Sequence, residues 1–374
     1  MRKNRLASGL LLLTSVLCLA GCKNAETDQM TMGGQNKETL VSEENMETEN
    51  LENVLLTNEI RELENGLSAV KYEGDYAFDA FLSAGGASSD REVIGFLAEN
   101  LLSGMNIGFS QESFGCSTIS VKSGDGDFLF GRNFDWNSCN AMVVAAYPEN
   151  GYASISTVNM DFVSQGAGGG ITGMALQMDQ VKVLAALYAP LDGMNEKGFA
   201  VSVNMIQDGA DISQDSDRPD ITTTTAIRLL LDKAADVDEA LALLEQYDMH
   251  ASMGMMVHFA LADNSGRSVV VEYIGNEMVV TETPVVTNFY LAEGEKHGIG
   301  TEQSHERYEI LMGLLDESER MDRTGVRDAL DRVSKDNFGE FESTEWSIVF
   351  NQADGQAVYY HRENYGKGYA FTIE

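Results

Sequence analysis

Residues 115–136 have the sequence GCSTISVKSGDGDFLFGRNFDW. Strand-forming residues lie on both sides of the turn-forming run SGDGD at 123–127, which is typical of a β-hairpin. Such a hairpin returns Arg132 and Asp135, at the end of its second strand, to Cys116 at the start of the first. This stretch therefore predicts two charged side chains beside a cysteine.

The pattern formed by Cys116 and the run FGRNFD at 130–135 resembles the choloylglycine hydrolase and penicillin V acylase family of N-terminal-nucleophile amide hydrolases. The run GMNEKG at 193–198 is a second resemblance to the same family. In that family the chain is cut before the cysteine, so the resemblance implies a cut between Gly115 and Cys116. It also implies an α+β fold, a four-layer αββα sandwich, for a catalytic domain at 116–374.

An N-terminal cysteine can cleave an amide because one residue supplies both the nucleophile and the base. A free α-amine has a pKa of about 7.7–8.0 and a thiol one of about 8.5, so proton transfer between them is nearly balanced at neutral pH. Before the cut, that nitrogen is a peptide amide and is not basic. Asp135 is expected to orient the new amine of Cys116, and Arg132 is expected to favour its thiolate.

Three further polar residues complete the candidate catalytic set. By analogy with the family, Asn204 and Asn288, each at a predicted strand end, are expected to donate hydrogen bonds to the oxyanion of the tetrahedral intermediate. Arg307 matches the late arginine of the family and is expected to stabilise charge near the site. Apolar residues next to these positions are candidates for an acyl pocket: Phe134, Trp136 and Met205.

The N-terminus carries an export signal. A basic start is followed by an apolar run at 6–20 that is too short to span a bilayer as a stable helix, and this run ends in LAGC at 19–22. The ending resembles the lipobox of bacterial lipoproteins, which implies a signal peptide at 1–21, lipidation of Cys22 and anchoring on the outer face of a bacterial cell membrane. An ordinary secretory signal is the alternative.

Two segments separate this signal from Cys116. Residues 22–50 are polar and acidic, which predicts a disordered tether. Residues 51–115 are too apolar for a linker and are expected to form a pro-segment that packs on the enzyme, an arrangement closer to acid ceramidase. Apolar spacing over 51–67 and over 91–105 predicts that this pro-segment is partly helical.

The net charge and the glycine and acidic motifs indicate which classes of ligand the protein can bind. The 374-residue chain has a formal net charge of −34, which excludes a nucleic-acid partner because such a partner requires basic surfaces. The glycine pattern at 168, 170 and 173 lacks the preceding apolar strand of a dinucleotide site, and the acidic run at 208–220 lacks EF-hand spacing. No cofactor and no metal are therefore expected. The expected partners are a small N-acyl amide, the protein's own pro-segment and, through Cys22, a membrane; a homo-oligomer is left open.

Three alternatives remain open at this stage. The same Cys116 acyl-enzyme could pass its acyl group to an amine, as an acyltransferase does. His258 lies at a distance along the chain that papain-like Cys-His pairs use, although a structural histidine is favoured. A Cys116–Cys139 disulfide would remove the nucleophile and favour a non-catalytic surface-binding lipoprotein. The favoured hypothesis is a self-processing hydrolase of an amide C–N bond, acting on a bile-salt, penicillin V or fatty N-acyl type of compound.

Overall fold

The computed structural model describes residues 49–100, 115–165, 178–338 and 342–374. Their strands form two large sheets and one small one. The seven-stranded sheet has the order β1 (Asn50–Asn53), β18 (Lys367–Thr372), β17 (Gln356–His361), β16 (Ser343–Asn351), β5 (Phe128–Trp136), β4 (Gly115–Lys122) and β15 (Val285–Val286). The nine-stranded sheet has the order β14 (Glu277–Glu282), β13 (Ser268–Ile274), β12 (Val257–Ala262), β9 (Ala200–Met205), β8 (Asp192–Asn195), β7 (Ser154–Asn159), β6 (Ala141–Tyr147), β3 (Leu67–Glu73) and β2 (Arg61–Glu64).

The remaining elements are mostly helices. The small sheet pairs β10 (Asp220–Thr222) with β11 (Asp248–His250), and a 3₁₀ turn spans Ser252–Gly254. The α-helices of the described residues are α1 (Phe78–Ser83), α2 (Asp90–Asn100), α3 (Met160–Gln165), α4 (Asp179–Leu187), α5 (Thr223–Lys233), α6 (Val237–Leu244), α7 (Glu302–Glu317) and α8 (Arg323–Asp331). None of these helices is both long enough and apolar enough to cross a membrane.

The two large sheets pack face to face, and helices cover their outer faces. One apolar core contains inward-facing residues of both sheets, such as Phe134 of β5 and Val201 of β9. A second core lies between the seven-stranded sheet and helices α7 and α8, where Ile119 packs near Leu311 and Leu330. Helices α4 and α5 contact the nine-stranded sheet. The layers are thus helix, sheet, sheet, helix, which confirms the expected α+β sandwich.

Alternation along the β4–β5 hairpin determines which layer each site residue faces. Successive side chains of a strand point to opposite faces, and the register pairs Cys116 with Phe134 and Gly115 with Asp135. Cys116, Arg132 and Phe134 face the core between the sheets, where Arg132 contacts β8 and β9. Asp135 faces the other way, towards helix α7. One short hairpin therefore supplies groups to two layers.

The described part of the predicted pro-segment is built into both large sheets. β1 pairs in parallel with β18, and β3 pairs in parallel with β6 along its whole length. The helix expected over 51–67 is wrong, because this stretch contains β1, β2 and the turn into β3, where Gly66 has a φ of 86°. The backbone hydrogen bonds that β1 and β2 form in the sheets outweigh the helical preference indicated by the local spacing of apolar residues. Helix α2 overlaps the other predicted helix and begins one residue before it, and residues 101–105 of that prediction lie outside the described residues.

Glu49 fastens the start of the described chain to the outer face of the seven-stranded sheet. Its carboxylate accepts hydrogen bonds from both terminal nitrogens of Arg323, at 2.8 and 2.7 Å, and from the hydroxyl of Tyr360 at 2.6 Å. Burial alone would raise the pKa of Glu49, but the hydrogen bonds from Arg323 and Tyr360 hold it below its ordinary value. The ionised carboxylate therefore clamps β1 beside β18. The predicted signal, Cys22 and the glycine pattern at 168–173 lie outside the described residues.

Candidate active site

Arg132 lies beside the sulfur of Cys116, with 3.2 Å between its Nη2 and Sγ. Both side chains are fully buried. The sulfur also lies 3.7 Å from the carbonyl oxygen of Val203, on β9 of the opposite sheet. The candidate nucleophile is thus enclosed between the two sheets and touches a cation.

Acceptors from the opposite sheet fix the guanidinium of Arg132. Its Nη1 donates to a carboxylate oxygen of Asp192 and, at 2.9 Å, to the carbonyl oxygen of Leu191. Its Nη2 donates at 2.9 Å to the carbonyl oxygen of Val203. The indole Nε1 of Trp346 donates to the same Asp192 oxygen at 3.0 Å. The planar fork of an arginine suits such a set of acceptors, so Asp192 orients Arg132 towards the sulfur.

Asp192 is a site residue that the sequence analysis missed. It lies beside the run GMNEKG that carries the family resemblance, but an aspartate before a glycine is typical of a turn. In the structure it begins β8 and is fully buried. Its partner Arg132 lies 60 positions earlier in the chain, so no local spacing linked the two residues.

Burial raises the pKa of the Cys116 thiol to about 11, because the positive charge of Arg132 lowers the pKa but does not offset desolvation, and Asp135 raises it further. In the peptide-bonded chain the sulfur is therefore a protonated thiol at neutral pH. Burial also raises the pKa of Cys139. Both cysteines are free, and the disulfide of the non-catalytic alternative is not formed.

Asn288 holds the backbone nitrogen of Cys116. The Cys116 N–H donates to Oδ1 of Asn288 at 2.9 Å, and Nη2 of Arg307 donates to the same oxygen at 2.6 Å. The other terminal nitrogen of Arg307 donates to Oδ2 of Asp135 at 2.7 Å. Arg307 and Asn288 thus connect the predicted amine-binding carboxylate to the nitrogen that would become the amine.

Asp135 is surrounded by donors on the outer face of the hairpin. Besides Arg307, it accepts a hydrogen bond from Oγ1 of Thr344 at 2.8 Å and lies 3.5 Å from Nζ of Lys335. The side chain is fully buried. These contacts fix its orientation while Cys116 is still joined to Gly115, since both are consecutive residues of β4. The expected contact of Asp135 with a free α-amine belongs to the cut chain and stays a prediction.

The amide groups of the two asparagines point to backbone carbonyls in the peptide-bonded chain. Nδ2 of Asn288 donates to the carbonyl oxygen of Met205 at 2.7 Å, and Nδ2 of Asn204 donates to that of Val286 at 3.4 Å. Oδ1 of Asn204 accepts from the hydroxyl of Ser202 at 3.1 Å. Of the two, Asn288 directly contacts Cys116 in the described structure. Their expected function as oxyanion donors stays a prediction for the cut enzyme.

The candidate pocket residues are buried in the core near the nucleophile. Phe134 stacks on Trp346 with 3.9 Å between ring centroids, and Trp136 meets Phe162 edge to face at 4.7 Å. Met205 ends β9, and its carbonyl oxygen accepts the hydrogen bond from Asn288. Opening of this core to an acyl group stays a prediction.

His258 is engaged away from the nucleophile. Its Nδ1 lies 3.0 Å from Oε1 of Glu272, and its Nε2 lies 2.8 Å from the carbonyl oxygen of Thr287. The side chain is fully buried on β12. Both ring nitrogens therefore face oxygen acceptors, which fits the structural histidine that the sequence analysis favours over a papain-like pair.

Glu272 and His258 together tie down the segment that carries Asn288. The Glu272 carboxylate accepts backbone hydrogen bonds from Leu291 at 3.0 Å and from Ala292 at 2.7 Å. Burial alone would raise the pKa of Glu272, but His258 and these amides lower it below the ordinary value. The segment is thus held at Thr287 and at 291–292. Among the described residues, no group of three or more His, Cys, Asp or Glu side chains is placed to hold a metal ion.

The model of a known protein family matches a part of the chain that begins at the candidate nucleophile. The model of the linear amide C–N hydrolases, choloylglycine hydrolase family, matches residues 116–289. Over these residues the chain is similar to linear amide C–N hydrolases. The match starts at Cys116 itself, and it includes Arg132, Asp135, Asn204 and Asn288. Arg307 lies beyond the matched residues.

Solved structures of a bacterial bile acid hydrolase share the fold. A mutant of the conjugated bile acid hydrolase from Clostridium perfringens is 18% identical, with a TM-score of 0.51, and the match covers 69% of this chain and 92% of that one. Another variant of that enzyme gives 14% identity, a TM-score of 0.50 and the same coverages. Penicillin V acylase from Agrobacterium tumefaciens is 17% identical, with a TM-score of 0.45 over 66% of this chain and 83% of that one. No curated protein matches this chain significantly.

Proposed function

We propose that the hydrolase cuts its own chain between Gly115 and Cys116 and then uses the free Cys116 to cleave the amide bond of a small N-acyl compound. The surroundings of the Cys116 sulfur and nitrogen support this proposal. The sulfur of Cys116 touches Arg132, and the nitrogen of the same residue is held by Asn288 and, through it, by Arg307. A nucleophile and its future base are therefore positioned by different side chains, as a single-residue catalyst requires.

The self-cleavage step balances without a co-reactant other than water. The sulfur of Cys116 attacks the carbonyl carbon of Gly115, and a thioester replaces the peptide bond as the thiol proton passes to the nitrogen of Cys116. Water then hydrolyses the thioester, which leaves a carboxylate on Gly115 and a free thiol and α-amine on Cys116. The peptide nitrogen becomes a base only through this cut.

The cut chain has the groups for amide hydrolysis. The α-amine of Cys116, with a reference pKa of about 7.7–8.0, takes the thiol proton and returns it to the leaving amine. Arg132 stabilises the thiolate, and Asp135 with Asn288 orients the amine. Asn204 and Asn288 are the proposed oxyanion donors. Phe134, Trp136 and Met205 are the proposed acyl-pocket residues.

The family resemblance and the enclosed position of the sulfur support the proposed substrate class. Linear amides of the bile-salt, penicillin V and fatty N-acyl types each join an apolar acyl group to a polar amine. Aromatic and apolar side chains lie next to Cys116, since Phe134 is its cross-strand partner. These side chains would accommodate an apolar acyl group next to the nucleophile. Measuring hydrolysis of a panel of such amides would identify the substrate.

Intact-mass analysis of the purified full-length chain tests the proposal. We expect a species that begins at Cys116, and we expect that Cys116→Ala abolishes both this species and amide hydrolysis. Cys139→Ala is the matched control, because it removes the other buried free thiol, and it should leave both intact. An active preparation with the bond before Cys116 unbroken would overturn the self-processing proposal.

We also propose that the hydrolase is exported and held on the outer face of a bacterial membrane by lipid on Cys22. The LAGC ending of the apolar run supports this proposal. Fractionation of cells that produce the wild-type chain and Cys22→Ala tests it. The wild type should sediment with membranes and the variant should not; equal sedimentation would contradict a lipid anchor at this residue.

A further inference from the structure

The side-chain position of Gly115 is already occupied by other residues. A Cβ atom added to this glycine would lie 2.4 Å from Oε1 of Glu342, 2.7 Å from Nζ of Lys335 and 3.0 Å from Oδ2 of Asp135. Contacts between a real Cβ and such atoms are longer than this, so these side chains must move to admit even a methyl group. Gly115 thus lies directly against a cluster of three charged groups.

Lys335 is held firmly in this cluster. Its backbone N–H donates to Oγ1 of Thr344 at 2.8 Å, and its carbonyl oxygen accepts from the Thr344 amide at 2.9 Å. Its ammonium pairs with Glu342 at 2.7 Å and lies 3.5 Å from Asp135. The side chain is only 5% exposed. A Cβ on residue 115 would displace the ammonium of Lys335 and leave this nearly buried cation with weaker pairing to Glu342 and Asp135.

The cluster is connected to the nitrogen of the scissile bond. Asp135 receives Lys335 on one side and Arg307 on the other, and Arg307 also donates to the Asn288 oxygen that holds the Cys116 N–H. A displacement of Lys335 is thus transmitted through Asp135 to the groups that position this nitrogen. A misplacement of about 1 Å can slow a reaction by about 100-fold, because attack requires aligned atoms at short distance.

We propose that Lys335 and Glu342 form a recognition site for residue 115 that restricts self-cleavage to a glycine at that position. The inference rests on the proposed self-cleavage and adds to it a rule for the residue before the cut. In that step, the Cys116 sulfur attacks the Gly115 carbonyl carbon, the thiol proton passes to the Cys116 nitrogen, and water hydrolyses the thioester. Lys335 and Glu342 take no covalent part; they are positioning residues that hold the acyl side of the bond.

A time course of intact mass on the purified full-length chain tests the inference with four proteins. These are the wild type, Gly115→Ala, the double variant Gly115→Ala with Glu342→Ala, and Gly124→Ala as a control. Gly124 lies in the turn of the same hairpin, and a Cβ there meets nothing within 4 Å. The unfolding temperature of each uncut protein is measured in parallel, which separates slow cleavage from failure to fold.

We expect Gly115→Ala to be cut about 100-fold more slowly than the wild type, because the displaced cluster misaligns the bond. The uncut variant should still unfold cooperatively, at a lower temperature than the wild type because the charged cluster is displaced. The double variant removes the shortest contact and should recover at least a tenth of the wild-type rate. Gly124→Ala should match the wild type.

Equal cleavage of Gly115→Ala and the wild type would overturn the inference while self-cleavage itself stands. A double variant as slow as Gly115→Ala would also overturn it, because the contact with Glu342 would then not be the cause. A wild-type chain that stays uncut would overturn the proposed self-cleavage and this inference with it.

Discussion

The backbone nitrogen of Cys116 donates a hydrogen bond to the side-chain oxygen of Asn288 at 2.9 Å, across 172 positions of sequence. Asn288 also accepts from Arg307 and donates to the carbonyl oxygen of Met205. The asparagine therefore orients the nitrogen that becomes the base in the proposed mechanism.

Asn288→Ala should slow both self-cleavage and amide hydrolysis. Loss of a hydrogen bond to a charged group is worth about 1.5–3 kcal/mol, so we expect a decrease of about 10- to 100-fold. The rate of appearance of the chain that begins at Cys116 measures the first effect, and turnover of a cut sample measures the second. Asn276→Ala, in an exposed turn after β13, is a suitable control. Unchanged rates in Asn288→Ala would remove this residue from the mechanism.

The raised pKa of the Cys116 thiol predicts slow alkylation of the uncut chain. Because the folded-state pKa lies near 11, above the ordinary thiol value, the thiolate fraction is small at neutral pH and grows as the pH rises towards about 11. Iodoacetamide labelling of an uncut preparation, followed by peptide mapping of Cys116, measures this dependence. Rapid labelling at neutral pH would contradict it. After the cut, the neighbouring α-amine should shift the labelling profile to lower pH.

Asp192→Asn should impair the site without touching the sulfur. The substitution removes the negative charge that pairs with the buried Arg132, and loss of one partner of a buried ion pair costs about 3–5 kcal/mol of unfolding free energy. We also expect slower cleavage, because the guanidinium loses its fixed direction towards Cys116. Urea unfolding and the intact-mass time course measure the two effects. Exposed Asp125→Asn, in the hairpin turn, is the matched control, and a variant as stable as this control would refute the assignment.

The pro-segment should stay with the catalytic chain after cleavage. Strands β1 and β3 pair along their lengths with β18 and β6, and Glu49 is clamped by Arg323 and Tyr360. Size-exclusion chromatography of the cut protein should therefore show both pieces in one peak, which separates only in denaturant. Free elution of the catalytic chain would contradict this prediction.

Glu49→Gln tests the clamp separately. Hydrogen bonds to charged groups are worth about 1.5–3 kcal/mol, and we expect a loss of about this size in the free energy of unfolding. The pKa of Glu49 is lowered in the folded protein, so its contribution is present above the unfolded-state pKa and is lost as the pH falls through the folded-state value. The difference between Glu49→Gln and wild type should thus disappear in acid. Exposed Glu59→Gln should be without effect.

His258→Ala should reduce stability more than turnover. The substitution leaves the Glu272 carboxylate buried with one partner fewer and removes the hydrogen bond to the Thr287 carbonyl, so we expect a loss of about 3–5 kcal/mol. Turnover per folded molecule should fall far less than in Cys116→Ala. Exposed His297→Ala is the control. A selective loss of turnover with unchanged stability would support a papain-like pair.

Several elements were predictable because their causes are local. The turn run at 123–127 and its flanking strand formers specify the β4–β5 hairpin, and the hairpin register brings Arg132 near Cys116. The expected helix over 51–67 failed because β1 pairs with β18, at the other end of the chain, and β2 pairs with β3, which in turn pairs with the distant β6. The spacing of apolar residues within 51–67 cannot indicate that a sheet edge from another part of the chain is available for pairing.

The sequence by itself indicated the candidate nucleophile and determined the hairpin that carries it and the motif that resembles the family, since these depend on neighbouring residues and on alternation along one strand. Only the tertiary structure decided that Asp192 fixes Arg132, that Asn288 holds the Cys116 nitrogen and that Glu342 and Lys335 occupy the side-chain position of Gly115. Each of these contacts joins separate strands or loops. They form only when two sheets and their covering helices pack together, and that packing is set by the burial of the whole core.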